Sequence, residues 1–156
     1  MSEKIIKEAK EIIIGRMFTD DNGETTPHKS ISVTNDEDMI DPDEKVIEDD
    51  DITINFDYPL SHTVKKDFQS DDGFTRHELW QAIHDGYTKI YDEEDTAVGD
   101  PGTIGENSLS TSSASKMINR SESQGPHGIW GHYIGDLFIE GVVEKAISEY
   151  DLTMGS

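Results

Sequence analysis

Between Thr75 and Asp92 the apolar side chains Leu79, Ile83, Tyr87, Ile90 and Tyr91 recur at helical spacing, with Trp80 beside them. Thr75 can cap this segment, and Glu78, three residues later, completes a Thr-x-x-Glu capping box that closes the first turn. Gly86 weakens the helix by about 1 kcal/mol relative to Ala. A helix with a single apolar stripe must bury it against another layer, and most of the other regular segments of this chain read as strands. In "DITINFDYPL" Ile52, Ile54 and Phe56 share one face and Thr53, Asn55 and Asp57 the other, until Pro59 ends the run. "SEYDLTMGS" alternates Tyr150, Leu152 and Met154. The expected fold is a small single α+β domain, an antiparallel sheet with one main helix. Its elements are a strand at 52–57, the helix at 75–92 and a terminal antiparallel pair near 136–143 and 148–154.

A chain of 156 residues is one domain's length. Adding the 13 glycines to the 33% of hydrophobic residues gives about 41%, below the roughly 45–50% usual for globular domains, so part of the chain is expected to lie outside the core. Residues 1–50 read as an acidic N-terminal segment with a short helix or hairpin and a linker, and residues 51–156 as the α+β domain. Within the first part, Ile5, Ile6, Ala9, Ile12 and Ile13 fit a short amphipathic helix, although "EIIIGRMF" also fits a strand. Asn22-Gly23 signals a turn, and Ile31 and Val33 alternate with polar residues as in a short strand. "NDEDMIDPDEKVIEDDD" reads as a solvated, self-repelling linker. Residues 96–124, rich in Gly, Ser and Pro with few apolar anchors, read as a mobile loop.

The formal net charge of -21 repels phosphate backbones and anionic lipid surfaces, which excludes nucleic acid and membrane as expected partners and favours a basic protein. The absence of Cys excludes disulfides and thiolate metal sites. "MSEKIIKEAKEIIIGRMF" is too charged for the apolar core of a signal peptide, so a soluble intracellular protein, of the cytoplasm or of a virion, is expected. No phosphate-cradling Gly-rich run, calcium loop or nucleophile elbow occurs, and no cofactor is expected.

Chemistry-bearing residues concentrate in "GPHGIWGHYIGDLFIEG", residues 125–141. Its glycines argue against a long helix, and the favoured reading is a loop to about Gly135 followed by a strand; a helix from His132, or a helix followed by a strand, compete with it. Trp130 reads as a core side chain in one view and, with Arg120 and His132, as part of a recognition surface in the other; the core is favoured. His132 is expected to hold the window together by a hydrogen bond to backbone or to Asp136. Alternatively, His127, His132 and Asp136 supply metal ligands, which would have to converge at about 2.0–2.2 Å. His77 and His84, on one side of the main helix, read as its amphipathic flank.

"GFTRHELWQAIHDGYTKIYDEED" followed by "MINRSESQGPHGIWGHYIGDLFIEG" resembles a family of small uncharacterised proteins of eukaryotes and large DNA viruses. The matching positions are Gly73 to Arg76, Asn119 and Arg120, Gly128 to His132, and Asp136, Leu137 and Glu140, and the resemblance spans roughly residues 52–155. It implies a strand, helix, loop, strand, strand order and a strand at 136–142. The family pattern carries Tyr where this chain has His127, which weighs against a two-histidine metal site. The expected function is a non-catalytic interaction or structural protein offering an acidic surface to basic partners, with Arg120, Trp130, His132 and Asp136 as candidate binding residues. The alternative is a metal-dependent hydrolase centred on His132 and Asp136.

Overall fold

The computed structural model describes residues 11–15, 18–19, 25–26, 30–37, 39–99 and 121–155. In chain order these carry β1 (Glu11–Ile12), β2 (Phe18–Thr19), β3 (Thr25–Thr26), β4 (Ile31–Ser32), β5 (Lys45–Ile47), β6 (Asp51–Phe56), β7 (Val64–Gln69) and β8 (Phe74–Thr75). Helix α1 (Arg76–Val98), a 3-10 turn (Ile134–Asp136), β9 (Phe138–Ala146) and β10 (Glu149–Gly155) follow. The main sheet runs β1, β9, β10, β6, β7, with β4 also pairing β9, and two ribbons, β2 with β3 and β5 with β8, lie apart from it. The fold is α+β, with one main helix and strands dominating.

Helix α1 begins where its local chemistry requires. The Thr75 hydroxyl accepts from the Glu78 N–H at 3.1 Å and the Glu78 carboxylate accepts from the Thr75 N–H at 2.8 Å, so both halves of the capping box are formed. The helix outlasts its expected end at 92, reaching Val98 before Gly99 turns the chain at φ 80°. Its stripe of Leu79, Ile83, Tyr87 and Ile90 is fully buried with Ile54 and Phe56 of β6 in one core. Gly86, which costs the isolated helix stability, sits under the Phe56 ring, where a Cβ would collide with it. That ring meets Tyr87 edge-on at 5.0 Å between centroids, so the missing side chain is what brings helix and sheet together here.

The expected all-antiparallel sheet is corrected in one ladder: β6 and β10 run parallel, pairing Thr53 with Glu149 and Asn55 with Asp151. A polar ladder across three strands lies along this register. Asn55 donates to Glu149 at 2.9 Å and to Asp151 at 2.7 Å, and Lys65 on β7 reaches Glu149 at 2.6 Å. The terminal pair β9 and β10 is antiparallel as expected, and the strand reading of this region holds against the helical one.

Residues on both sides of position 50 share one sheet and one core. Ile12 and Ile14 are buried with Ile13 between them less so, a period of two, and Glu11–Ile12 pairs with β9 as a strand, not a helix; the rest of the expected helix lies outside the described residues. The Asn22-Gly23 turn and most of the 96–124 loop also lie outside them. Val33, Met39 and Ile47 reach the core, so the segment read as a linker contributes β5 and two of those apolar anchors. Arg76 explains why this acidic segment folds back. Its guanidinium donates to the carbonyls of Ile13 at 2.7 Å, Ile40 at 3.1 Å and Asp41 at 2.8 Å, and to the Glu44 carboxylate at 2.9 Å. The helix's polar rings add to this: Trp80 donates to the Ser32 carbonyl and His84 to that of Val33, both at 2.9 Å. His77 and His84, read as a mere flank, thus stack on Trp80 and help hold the 32–36 stretch. Among the described residues no helix is long and apolar enough to cross a membrane.

Helix propensity alone makes Gly86→Ala stabilising by about 1 kcal/mol. The collision with Phe56 reverses the sign: the variant is expected to lose roughly 1–3 kcal/mol, as overpacked cores do, measured by urea unfolding. A gain in stability would show that the helix and sheet are not in contact at this point.

Candidate binding surface

The last turns of α1 present Tyr87, Tyr91, Glu93 and Glu94 to two irregular segments, 57–62 and 121–133. Glu94 continues the buried stripe of the helix and has no exposed surface. A buried carboxylate must be satisfied by donors, and here the chain wraps around it. Its oxygens accept from the Ser123 hydroxyl at 2.6 Å and from the N–H groups of Gly125 at 2.8 Å, His127 at 2.8 Å and Gly128 at 3.3 Å. Burial pushes the Glu94 carboxyl up, but the bonds from Ser123 and from the backbone of His127, Gly125 and Ile129 outweigh it and hold it below the usual carboxylate range. Gly125 fits because a Cβ there would strike this carboxylate. Next door, the hydrogen bond from His127 is the main cause holding Glu93 below its ordinary value.

Segment 127–132 then runs beside segment 58–61. Ser61 N–H donates to the His127 carbonyl and Trp130 N–H to the Pro59 carbonyl, each at 3.1 Å, and the Ser61 hydroxyl donates to the Gly128 carbonyl at 2.7 Å. Gly128, at φ 59°, lies too close to Ser61 for any Cβ. Two tyrosines of α1 fix both segments to the helix: Tyr87 donates to the Tyr58 carbonyl at 2.7 Å and Tyr91 to the His132 carbonyl at 2.9 Å.

This pairing sends Ile129 inward, fully buried, and Trp130 outward with 42% of its surface exposed. The core expectation for Trp130 is therefore corrected, because the adjacent Ile129 occupies the core position. Trp130 meets Tyr58 edge-on at 5.3 Å, and the Tyr58 hydroxyl and His132 Nε2 are 2.8 Å apart, so the three rings form one partly exposed patch. His132 does bridge two segments, but through Tyr58 rather than through Asp136. The Asp136 carboxylate instead accepts from the Tyr133 N–H at 3.1 Å and closes the 3-10 turn. Arg120 lies outside the described residues.

The metal set of His127, His132 and Asp136 is not assembled. His127 Nε2 is 2.8 Å from Glu93, His132 Nε2 faces Tyr58, and Asp136 holds its own turn. Among the described residues no group of three or more His, Asp or Glu side chains could hold a metal ion. Tyr58, Ser61, Glu93, Glu94 and Ser123 were not singled out from the sequence, and Tyr91 was read only as part of the helix's apolar stripe. For Glu94 a signal existed, since it falls on the helix's apolar stripe, where a charge needs an explanation. No protein-family model, curated protein or solved structure matches the chain.

The folded state holds the Glu94 proton less tightly than the unfolded chain does. Its stabilising contribution is therefore complete above the ordinary glutamate value and is lost as pH falls through the lowered folded value. Glu94→Gln is expected to cost roughly 1.5–3 kcal/mol at neutral pH, since it removes a charged acceptor from several donors. The variant should also lose less of its stability than the parent on acidification. Urea unfolding of both proteins from neutral to acid pH checks this, and parallel curves would remove Glu94 as a source of the acid sensitivity.

Proposed function

We propose that this protein is a non-catalytic interaction protein of the cell interior, cytoplasmic or carried in a virion, which docks basic protein partners. The observation that carries this reading is Trp130. A large ring left 42% exposed is held by the Trp130 N–H to Pro59 carbonyl bond and flanked by Tyr58 and His132. Rigid aromatic side chains with a polar surround are the commonest anchors of binding interfaces, because they bury much area at little entropic cost. The net charge of -21 favours a cationic partner, whose lysines and arginines also interact well with aromatic faces. Of the residues proposed from sequence for this role, Trp130 and His132 belong to the patch, Asp136 supports it through the 3-10 turn, and Tyr58 joins them.

The chain has two tryptophans, and Trp80 is buried, so fluorescence changes on titration with a Lys- and Arg-rich peptide report chiefly on Trp130. Binding is expected to weaken with salt, and Trp130→Ala to weaken it by about tenfold or more, as hot-spot truncations do. The same variant should unfold within about 1 kcal/mol of the parent, well short of the roughly 3–5 kcal/mol lost when a buried aromatic is truncated. Unchanged peptide affinity in Trp130→Ala would reject the patch as the docking site.

A further inference from the structure

The main sheet ends on β7, whose far side meets no other strand among the described residues. Which of its backbone groups face that open side follows from the register. Ser70 N–H donates to the Asp50 carbonyl at 2.8 Å, one step beyond the ladder that sets Ile52 opposite Phe68 and Ile54 opposite Lys66. Bonded pairs alternate with unbonded ones in an antiparallel ladder, so Val64, Lys66 and Phe68 carry the bonds to β6. Thr53 agrees, since its N–H turns the other way, to the Ser148 carbonyl at 2.8 Å. Lys65, Asp67 and Gln69 therefore direct their N–H and C=O groups away from the sheet.

An open edge is a template for another strand unless its side chains guard it. Lysines are the usual guards, and both on β7 already face acids of this chain. Lys65 Nζ is 2.6 Å from Glu149 and 3.0 Å from Asn55 Oδ1, and Lys66 lies close enough to Glu93 on α1 to help lower its carboxyl. The two faces of the edge differ. On the helix side Val64 and Phe68 are half-buried against the core, with the Phe68 ring 6.3 Å from that of Phe56. On the other side Asp67 and Gln69 border a concavity of about 480 Å³ that also takes in Asp51, Glu149 and Ile147, the last 93% exposed between β9 and β10. A smaller hollow of about 120 Å³ shares Asp51 and Gln69 with it and adds Asp50 and Asp71.

We propose that the open edge of β7 pairs with an extended segment of the basic partner in which apolar residues alternate with lysine or arginine. Main-chain bonds to Lys65, Asp67 and Gln69 supply the pairing, as in other strand additions. Successive side chains of the added strand point to opposite faces. Those on the helix side cover Val64 and Phe68. Those on the other side bring ammonium or guanidinium groups to Asp51 and Asp67, with their carbon stems along Ile147. The proposal rests on the interaction reading above for the partner's charge, but not on the Trp130 patch. Both sites belong to one stretch of chain, since segment 58–61, paired with Trp130 through Pro59, leads directly into β7.

Amide hydrogen exchange read by NMR on the whole protein tests it, with three probes: a peptide of alternating lysine and valine, one of alternating glutamate and valine, and one with the lysines and valines in two blocks. In the free protein the amides of Lys65, Asp67 and Gln69 are expected to exchange fast and those of Lys66 and Phe68 slowly, and the alternating lysine peptide to protect the first three. Gln69→Pro, which removes an outward N–H that β6 does not use, should abolish the protection at Lys65 and Asp67 while Lys66 and Phe68 stay slow. Asp51→Lys, an exposed change, should weaken binding roughly three- to tenfold, as reversal of an exposed charge does. Slow exchange at Lys65, Asp67 and Gln69 in the dilute free protein overturns the proposal, because the edge is then already covered. Protection that grows with protein concentration assigns the edge to a second copy and overturns the assignment to a partner. Equal protection by the glutamate or the block peptide overturns the alternating basic strand. A lysine peptide that changes Trp130 fluorescence without protecting the edge leaves the interaction reading standing and removes this one. Edge protection of undiminished affinity in Trp130→Ala upholds the strand addition and rejects the patch.

Discussion

Two buried charges at opposite ends of α1 organise the molecule, because neither can stay buried without the chain segments that satisfy it. Arg76 in the first turn and Glu94 near the last stand against the helix dipole, which favours acids at the N-terminus and bases at the C-terminus. Their placement has a tertiary cause. Arg76 gathers carbonyls from the segments around Ile13 and Ile40, and Glu94 gathers N–H groups from 125–128. Removing either partner would leave an uncompensated charge in the interior, a far larger penalty than any surface ion pair here can offset.

The consequences differ at the two ends. At the N-terminal end, the Arg76 bonds, with those of Trp80 and His84, hold an acidic segment that would otherwise repel itself, and Met39 and Ile47 enter the core as a result. At the C-terminal end, the Glu94 carboxylate sets the path of 123–128, that path aligns 127–130 with 59–61, and the alignment turns Trp130 out. The proposed docking patch is thus downstream of one carboxylate on the helix.

The sheet contributes differently. Its helix-facing side is mostly apolar, with Lys66 opposite Ile54 at the β7 edge, while the other side carries Thr53, Asn55, Lys65, Asp67, Glu149 and Asp151 in bonds across β7, β6 and β10. Opposite charges facing one another across strands pin the register, and Lys65 holds the Glu149 carboxyl below its ordinary range.

What the sequence determined by itself was local. The capping box at Thr75, the stripe from Leu79 to Tyr91, the alternation of Ile52, Ile54 and Phe56, and the hairpin at 138–155 all depend on neighbours a few residues away, and all are present as read. The use of Gly86, the inclusion of Ile12 and Ile31 in the sheet, and the parallel β6–β10 ladder depend on partners tens of residues distant. The sharpest case is Ile129 and Trp130. Both are large and apolar, and residue type alone does not say which of the two is buried. Only the bonds from Ser61 to His127 and from Trp130 to Pro59 decide which of two consecutive side chains points inward, since alternate residues of an extended segment face opposite sides. That choice buried Ile129 and left Trp130 at the surface.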